Sequence, residues 1–524
     1  MSKWLRGGVV YQIYPRSFRD VDANGVGDLK GVIDKLEYVA SLGVDAIWLS
    51  PFFKSPQKDY GYDVSDYGDV DPLFGSLADA DALIKRAHEL GLKVIIDQVW
   101  SHSSDQHAWF AESRKSRDNA KADWYVWADA RPDGSPPNNW QAMFGGGAWS
   151  WDGRRRQYYL HNFLVEQPDL NVRNPAVQDA LLDVAKFWLE RGVDGFRLDV
   201  VNFFIHDAQL RDNPPIPFKR TPPRPHQFQR QLYTRTQPET LLFIARLRKV
   251  LDQYGAIAVG EIEDEEPLTV QRDYTDGPTR LQTAYSFYLL RTRAMTPAVV
   301  NEAMRGWQGA AGWPSWSLSN HDVIRFPTRL AGDDRQRTKL MLLLLLCLRG
   351  TPFIYQGDEL GLPHAEVPFE RLRDPEAIAF WPNGIGRDGA RTPMPWQGGA
   401  NMAGFTDAPD AWLPLDPRHR ALAVDIQESD PTSTLGFTRE AIAFRKTSMA
   451  LQEGDFIARD APAPLLVFER AFADQRVVCV FNLGDGAATQ SANDAKLQLF
   501  SVGGAQLDAA TARLPAYSAL IAAL

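Results

Sequence analysis

The chain has 524 residues, of which 44% are hydrophobic and 23% are charged. These values are typical of a soluble globular protein, and the length exceeds what one core can organise, so we expect a large domain with one or more smaller ones. The net charge of −9 argues against nucleic acid as a main partner, because phosphate binding needs a basic surface.

The cysteines and the apolar segments indicate in which cellular compartment the protein is expected. Cys347 and Cys479 each lie in an apolar run and are predicted to be buried thiols, without a disulfide framework, which favours a reducing compartment. Residues 1–10 contain no apolar segment of signal-peptide length. The longest apolar run, residues 340–348, predicts a core helix that is too short to cross a bilayer. We therefore expect a cytoplasmic protein with no membrane partner.

Strands and helices alternate along most of the chain. Residues 29–42 and 77–90 show helical spacing of apolar residues, and in each case a glycine and then a strand follow. Such alternation predicts a parallel sheet with right-handed crossovers, and eight strand–helix units close a TIM barrel. The eight predicted strands are residues 9–18, 44–50, 92–99, 193–201, 256–263, 284–290, 316–321 and 352–356.

Three long segments interrupt the alternation. Residues 103–167 are rich in Trp, Gly, Pro and Asn and predict an insertion domain over the barrel mouth, after strand three. Residues 211–238 and 363–414 predict long excursions after strands four and eight. From residue 444 to 524, alternating segments separated by turns predict an antiparallel β-sandwich domain. The fold class is therefore α/β, with a catalytic (β/α)8 barrel formed by residues 1–102 and 168–443.

Ionisable side chains follow the predicted barrel strands. One strand-terminal carboxylate is often only a helix cap, but five polar sets at one end of a barrel predict a functional pocket. These sets are Asp97 with His102, Arg197 with Asp199, Glu261 with Glu263, Asn320 with His321 and Asp322, and the loop residues Asp59, Tyr60, Tyr62 and Asp63.

Paired carboxylates without a nucleophilic Ser or Cys motif indicate glycosyl transfer. Asp199 and Glu261 come from neighbouring strands, which lie about 4.8 Å apart, so their carboxyl groups can meet the roughly 5 Å separation of a retaining mechanism. We expect Arg197 to keep Asp199 ionised as the nucleophile, although an Arg-x-Asp pair in a strand can also be purely structural. Glu261, in a more apolar setting, is the expected general acid, and Glu263 is its competitor.

Four motifs in order now identify a resemblance. Residues 97–102 (DQVWSH), 195–199 (GFRLD), 260–261 (GE) and 320–322 (NHD) closely resemble the α-amylase family, glycoside hydrolase family 13. The resemblance implies that Asp199 is the nucleophile, Glu261 the acid/base and Asp322 the transition-state stabiliser. It also implies that His102, Arg197 and His321 hold the sugar in the first subsite, and that Asp97 orients these three side chains.

Two further motifs resemble the exo-acting α-glucosidase and oligo-1,6-glucosidase branch of that family. They are residues 167–171 (QPDLN) and 391–396 (RTPMPW). By this resemblance, Asp59 and Arg391 grip the non-reducing-end hydroxyls and Tyr62 stacks on the ring. Phe144 and Phe163, from the insertion, are candidate wall residues, for which a plain packing role is an equal alternative.

The sequence departs from the family pattern at two informative positions. Ser101 stands where the family usually has Asn, which argues against a metal site at the insertion. Val200, after the nucleophile, resembles members that act on α-1,6 bonds. The following residues 202–207 and the Pro-rich loop instead resemble bacterial α-1,4-glucosidases with a narrow preference for disaccharides, and we favour α-1,4.

An acidic loop near the start predicts a structural metal site. Oxygen-bearing residues alternate there with glycines, as in an EF-hand-like loop, and the alternative is a plain Asx-rich turn. Resemblance to the branch adds a backbone carbonyl as a further ligand. We expect calcium rather than magnesium, and no organic cofactor. The predicted ligands are Asp20, Asp22, Asn24, the carbonyl of Val26, and Asp28.

Together these features predict a retaining exo-α-glucosidase that releases terminal α-1,4-linked glucose from short α-glucosides such as maltose. Transfer of glucose to another hydroxyl is open to any retaining enzyme. The alternatives are an oligo-1,6-glucosidase, a sucrose-acting or isomerising relative, and a non-catalytic protein resembling a transporter heavy chain. The last would carry a transmembrane helix and lack the carboxylates. The sequence does not predict the oligomeric state.

Overall fold

The structure is a computed structural model and describes residues 3–384, 386–492 and 494–524. Residues 1 and 2 of the predicted barrel segment lie outside the described residues. Eight parallel strands form one sheet in the order β6-β5-β4-β3-β2-β1-β8-β7, and a bridge between Ala284 and Pro314 closes the ring, so the predicted barrel is confirmed. The strands are β1 Val10–Ile13, β2 Ala46–Leu49, β3 Lys93–Gln98, β4 Gly195–Leu198, β5 Ile257–Ile262, β6 Thr283–Ser286, β7 Ser315–Ser317 and β8 Thr351–Tyr355.

Several strands are shorter than predicted. The strand predicted for residues 9–18 ends at Ile13, because Pro15 cannot donate to a strand ladder and begins a 3-10 turn. The strand predicted for residues 284–290 ends at Ser286, and the apolar residues that follow form the helix Phe287–Arg291. A short apolar run is compatible with either periodicity, which explains this error.

Eight helices alternate with the strands. Ser76 caps α2 through a capping box with Asp79, which satisfies backbone donors at the helix start. Gly43 and Gly91 adopt left-handed φ values of 83° and 78° just after α1 and α2, as the predicted helix–glycine–strand pattern requires. The helices are α1 Leu29–Ser41, α2 Leu77–Glu89, α3 Pro175–Glu190, α4 Thr240–Tyr254, α5 Pro267–Asp273, α6 Pro297–Met304, α7 Arg335–Cys347 and α8 Thr434–Thr447.

The C-terminal part of helix α7 is apolar on all sides because it is enclosed by protein. Residues 340–347 are all buried, and α7 contacts both α8 and the C-terminal sheet, so the prediction of a core helix is confirmed. Cys347, in α7, and Cys479 are both free and buried, as predicted. Among the helices of the described ranges, none combines the length and the apolar character that crossing a membrane requires.

The insertion after β3 contains the helix Ala108–Ser113 and a small antiparallel sheet of Trp127–Ala128, Gln157–Leu160 and Trp149–Asp152. A bridge between His102 and Asp169 fastens its base to the end of β3. The excursion after β4 packs on it, since the indole of Trp140 donates to the carbonyl of Arg211 over 2.8 Å. These two segments therefore stand over the carboxyl end of the barrel.

The C-terminal region forms two antiparallel sheets that share an apolar core, which confirms the predicted β-sandwich. Phe444 lies inside α8, and the first sandwich strand begins only at Asp455, after a second short helix, Met449–Glu453. One sheet contains Asp455–Arg459, Leu465–Phe472, Gln475–Asn482, Leu497–Val502 and Ser518–Ala523, and the other contains Ala488–Ser491, Gln506–Asp508 and Thr511–Leu514.

Candidate active site

The two central carboxylates meet where β4 and β5 end. Gly260 pairs with Leu198 in the parallel register, so the following residues, Glu261 and Asp199, are neighbours at the rim. Both contact one guanidinium: Nη1 of Arg197 lies 2.8 Å from Oδ1 of Asp199, and its Nη2 lies 2.5 Å from Oε2 of Glu261. The strand itself ends at Leu198, so Asp199 is the first residue beyond it. The structure thus brings the carboxyl groups of Asp199 and Glu261 close together, as the sequence predicted.

Arg197 is the hub of this arrangement. Its side chain is fully buried, and it also pairs with Asp97 over 2.8 Å. The hydroxyl of Tyr285 accepts a hydrogen bond from its Nε and donates one to Glu261, each over 3.1 Å. These contacts give Arg197 a role in positioning the carboxylates, and its predicted contact with sugar stays a prediction. The Arg-x-Asp pair is therefore a buried ion pair that also connects the two central carboxylates.

Burial raises the pKa values of both central carboxyl groups. Burial, with the charges of Asp199 and Asp322, raises the pKa of Glu261 to about 8 against the opposing effect of Arg197. Burial also raises the pKa of Asp199, to about 7. The prediction that Arg197 alone keeps Asp199 ionised was thus too simple, because burial outweighs it. Both carboxyl groups therefore hold a proton more readily than free ones, and they titrate as an interacting pair.

Asp322, at the end of β7, is the most anionic of the group. Burial would raise its pKa, but His321 and the guanidiniums of Arg391 and Arg387 hold it well below its usual value. Arg391 lies 2.9 Å from its Oδ1 and Arg387 lies 3.6 Å away. A carboxylate that stays charged beside the reacting carbon can stabilise positive charge in an oxocarbenium-like transition state.

A cavity of about 790 Å³ opens above these groups, and an ion pair closes its inner end. Arg387 contacts Asp59 and Asp374, each over 2.7 Å, and both Arg387 and Asp59 line the cavity. Asp63 supports the loop, because its carboxylate accepts hydrogen bonds from the backbone of Lys58 and Asp59. A cavity closed at one end holds a terminal sugar and excludes a continuing chain.

The structure corrects the predicted partner of Asp59. Arg391 is fully buried, does not line the cavity, and donates to the carbonyl of His321 over 2.8 Å as well as to Asp322. Arg387 takes the place that was predicted for Arg391. The two arginines lie four residues apart and flank the short 3-10 turn Asp388–Ala390, a single turn that no sequence periodicity reveals, so the sequence could not distinguish them.

His321 also lies behind the cavity wall rather than on it. It is completely buried, Gln12 donates to its Nδ1 over 2.8 Å, and its ring stacks on Tyr62 with centroids 5.3 Å apart. Burial lowers its pKa well below the usual value. His321 therefore supports Tyr62, which lines the cavity, and Asp322, and its predicted contact with sugar stays a prediction.

Aromatic side chains form the wall on the insertion side. Phe144 and Phe163 line the cavity, and their ring centroids lie 5.6 Å apart in an edge-to-face arrangement. Phe163 also contacts His102, and the guanidinium of Arg387 lies 4.8 Å above Phe144. Of the two alternatives left open for these phenylalanines, the wall position is observed, and the rings pack on one another as well.

His102, at the end of β3, lines the cavity in its neutral form, because burial lowers its pKa to about 4. Ser101, the residue that departs from the family pattern, lies 2.8 Å from Nδ1 of His102 and so orients the ring. Gln167, in the predicted branch motif, donates to Asp59 over 3.2 Å and lies 3.1 Å from Nε2 of His102. The motif therefore connects the insertion to the inner end of the cavity.

The acidic loop brings its carboxylates together. Oxygens of Asp20, Asp22 and Asp28 lie within 4.8 Å of one another. Backbone N–H groups of the loop already donate to several of these oxygens, as they would in an Asx-rich turn, and Val26 donates to the side chain of Asn24 over 2.8 Å. The donor set consists only of oxygen, which fits a hard divalent cation such as calcium.

Two carboxyl groups held over one guanidinium, a third beside them and a cavity closed at its inner end define a glycoside hydrolase site on a TIM barrel. Residues 12–454 match the family model described as "Alpha amylase, catalytic domain". The chain therefore belongs to the α-amylase family, and the predicted family resemblance is confirmed.

Relatives in that family point to glycosidases and to glucosyl transfer. A "Probable alpha-glucosidase" of Rhizobium meliloti is 52% identical over 93% of this chain and 90% of its own length. An "Oligo-1,6-glucosidase" of Heyndrickxia coagulans is 36% identical over 93% of this chain and 94% of its own. The crystal structure of the "alpha-glucosyl transfer enzyme, XgtA" shares 51% identity with a TM-score of 0.96 and full coverage of both chains. With all three carboxylates in place, the alternative of a non-catalytic transporter-like protein is not supported.

Proposed function

We propose that the protein is a retaining exo-acting α-glucosidase that removes terminal α-1,4-linked glucose from short substrates such as maltose. The observation that carries this proposal is the pair Asp199 and Glu261, joined by Arg197, at the floor of a cavity that Asp59 and Arg387 close. The closed end admits one terminal glucose, and the paired acids supply a nucleophile and a proton donor.

The reaction follows from these positions. A carboxylate oxygen of Asp199 attacks the anomeric carbon while the bond to the leaving oxygen breaks and Glu261 gives that oxygen its proton. The covalent glucosyl–Asp199 ester is then attacked by the oxygen of a water molecule, whose proton passes to Glu261 as the ester bond breaks. Two inversions give net retention. Asp322 stabilises positive charge on the sugar in both transition states.

The same intermediate explains glucosyl transfer. If a sugar or another alcohol occupies the acceptor position in place of water, its oxygen attacks the ester and a new α-glucoside forms. The similarity to a glucosyl transfer enzyme supports this second outcome. We propose both hydrolysis and transfer, with α-1,4 bonds preferred and α-1,6 hydrolysis, as in the oligo-1,6-glucosidase relative, as the alternative.

We further propose that the acidic loop binds a structural calcium ion through Asp20, Asp22 and Asp28, with Asn24 and the carbonyl of Val26 completing the set. The ion would hold the loop between β1 and α1, where Asp28 also caps α1. No reaction step depends on it.

A substrate panel tests the proposal. Purified protein is incubated with maltose, isomaltose, sucrose and trehalose, and the products are separated and the anomer first released is identified by NMR. We expect α-glucose as the first product, with the highest kcat/KM on maltose. A first product of β configuration would refute the retaining mechanism, and a higher kcat/KM on isomaltose or sucrose would replace the linkage assignment.

A further inference from the structure

Glu263 occupies a position that the mechanism above leaves without a role. It follows Glu261 by two residues, just beyond the end of β5, and both side chains line the same cavity. The partners of Glu263, namely Asn202 and Arg291, lie after β4 and β6, whereas Asp59 at the inner end is held by Arg387 and Gln167. In the proposed function the glucose that is cleaved occupies the end at Asp59, so a charged side chain that lines the rest of the cavity is a candidate contact for the leaving group.

The protein holds Glu263 firmly in this position. Asn202 brackets its backbone: the side-chain amide donates to the carbonyl of Glu263 over 2.8 Å, and the side-chain oxygen accepts from its N–H over 3.3 Å. Nη1 of Arg291 lies 2.9 Å from Oε1 of Glu263. The other carboxylate oxygen, Oε2, has no hydrogen-bond donor among the residues that the structure describes. A fixed, charged acceptor therefore faces the cavity with one oxygen unused.

The electrostatic surroundings exclude Glu263 as the general acid. Burial would raise its pKa, but the charges of Arg291 and Arg235 hold that pKa below the usual value, so the carboxyl group is anionic at neutral pH. An anion with a free oxygen is a strong acceptor for hydroxyl donors, and hydrogen bonds to charged groups are the stronger class. The competition between Glu261 and Glu263 for the proton is thus resolved in favour of Glu261.

The rest of the cavity has the character that a sugar ring requires. A second ion pair, Arg224 with Glu376 over 2.5 Å, adds polar groups beside the pair formed by Glu263 and Arg291. Apolar side chains after β6 and β7 complete the lining with a surface for the C–H groups of a ring. These apolar residues are Phe287, Leu290, Val323 and Ile324.

We propose that Glu263, fixed by Arg291 and Asn202, binds hydroxyl groups of the sugar that leaves in hydrolysis and accepts in transfer. This inference rests on the proposed function and assigns a specificity-determining residue to its acceptor position. Glu263 then favours a sugar leaving group over one without hydroxyls, and a sugar acceptor over water.

Two substrates that share the same glucose separate this role from the chemistry. Maltose has a glucose leaving group, whereas 4-nitrophenyl α-glucoside has one without hydroxyl donors. We expect Glu263→Gln to lower kcat/KM for maltose about tenfold relative to the nitrophenyl substrate, the factor that corresponds to about 1.4 kcal/mol. With the nitrophenyl donor, transfer to added glucose should fall by a similar factor relative to hydrolysis.

Asp207→Asn is the matched control. Asp207 also pairs with a half-exposed arginine, Arg211, over 2.8 Å and is similarly buried, but it does not line the cavity. The ratio of the two kcat/KM values should stay within twofold of wild type in this control. If Glu263→Gln does not fold, Glu263→Asp keeps the charge but withdraws the oxygens by one methylene, and the ratio should fall at least threefold.

A ratio within twofold of wild type in the folded variant overturns the inference, because a purely structural ion pair would affect both substrates alike. Failure of the proposed function gives a different result. In that case, wild-type protein would release no glucose from either substrate, so the wild-type measurement alone distinguishes failure of the proposed function from failure of the inference about Glu263.

Discussion

Removal of the acid/base carboxyl gives a sharp test of the mechanism. In Glu261→Gln, the amide oxygen can take the place of Oε2, which accepts from the N–H of Val200 over 3.1 Å in the wild-type protein. The amide nitrogen then takes the place of Oε1 and can donate to the hydroxyl of Tyr285, which lies 3.1 Å away. The variant keeps the shape of the site but has no proton to give. We therefore expect a folded protein with a selective chemical defect.

The size of the defect depends on the leaving group. General acid catalysis contributes about 10²–10⁴ in rate, which is about 2.7–5.5 kcal/mol of transition-state stabilisation. Maltose needs this proton, because a sugar alkoxide is a poor leaving group, so its kcat/KM should fall by about 10²–10⁴. Fluoride leaves without protonation, so the loss of the proton donor should not slow its departure. We expect kcat/KM for α-glucosyl fluoride to fall less than tenfold, because the amide changes only the polarity of the site.

The pH profile provides the second measurement. In the wild-type protein, kcat/KM for maltose should fall above a pH of about 8, because Glu261 with its raised pKa then loses the proton that it must donate. It should also fall below a pH of about 7, where Asp199 with its raised pKa becomes protonated and cannot attack. The two limbs belong to the interacting pair. Glu261→Gln should lose only the alkaline limb, whereas Glu263→Gln should keep both.

Two results would refute this reasoning. Equal losses on maltose and on α-glucosyl fluoride would show that Glu261 is not the proton donor. An alkaline limb that persists in Glu261→Gln but disappears in Glu263→Gln would assign the acid role to Glu263 instead. Circular dichroism of each variant serves as the check that the fold is intact.

Three further predictions follow from the same contacts. Asp199→Asn should reduce turnover of maltose below detection while the unfolding midpoint stays near wild type, and near-normal activity would remove the nucleophile assignment. Arg387→Met should raise the inhibition constant of glucose about tenfold or more, because it removes a charged hydrogen-bond donor. Arg391→Met should mainly lower the unfolding temperature. The reverse pattern would identify Arg391 as the sugar contact. Calcium at about 100 times its dissociation constant should raise the free energy of unfolding by about 2.7 kcal/mol. If calcium stabilised Asp22→Asn as much as the wild-type protein, the acidic loop would be excluded as its binding site.

The barrel and the identity of its carboxylates were largely predictable from the sequence. Glycines after amphipathic helices and charged residues after apolar strands are local signals, and the parallel register turns them into neighbours at one rim. Asp199 and Glu261 were placed together for this reason. The lengths of β1 and β6 were not predictable, because tertiary packing and a proline decide where pairing stops.

The inner end of the cavity was predictable only in part. Asp59 was identified, but its partner was assigned to Arg391 rather than Arg387. Glu263 was recognised only as a competitor for the acid role. In both cases the side chain lies in irregular backbone, so its direction depends on contacts with distant residues such as Asp374 and Arg291. Sequence spacing carries no information about such contacts.

The different pKa values of the carboxyl groups follow from how the cations are shared. Arg197 serves three carboxylates, those of Asp97, Asp199 and Glu261, so one positive charge opposes three burial penalties and all three pKa values are raised. Asp322 instead faces two guanidiniums, those of Arg391 and Arg387, and also His321, and its pKa is lowered although it is buried as well. Arg387 is shared with two other carboxylates, whereas Arg391 pairs with Asp322. A carboxyl group with a raised pKa and one with a lowered pKa can therefore coexist in one cavity because the arginines are unequally distributed.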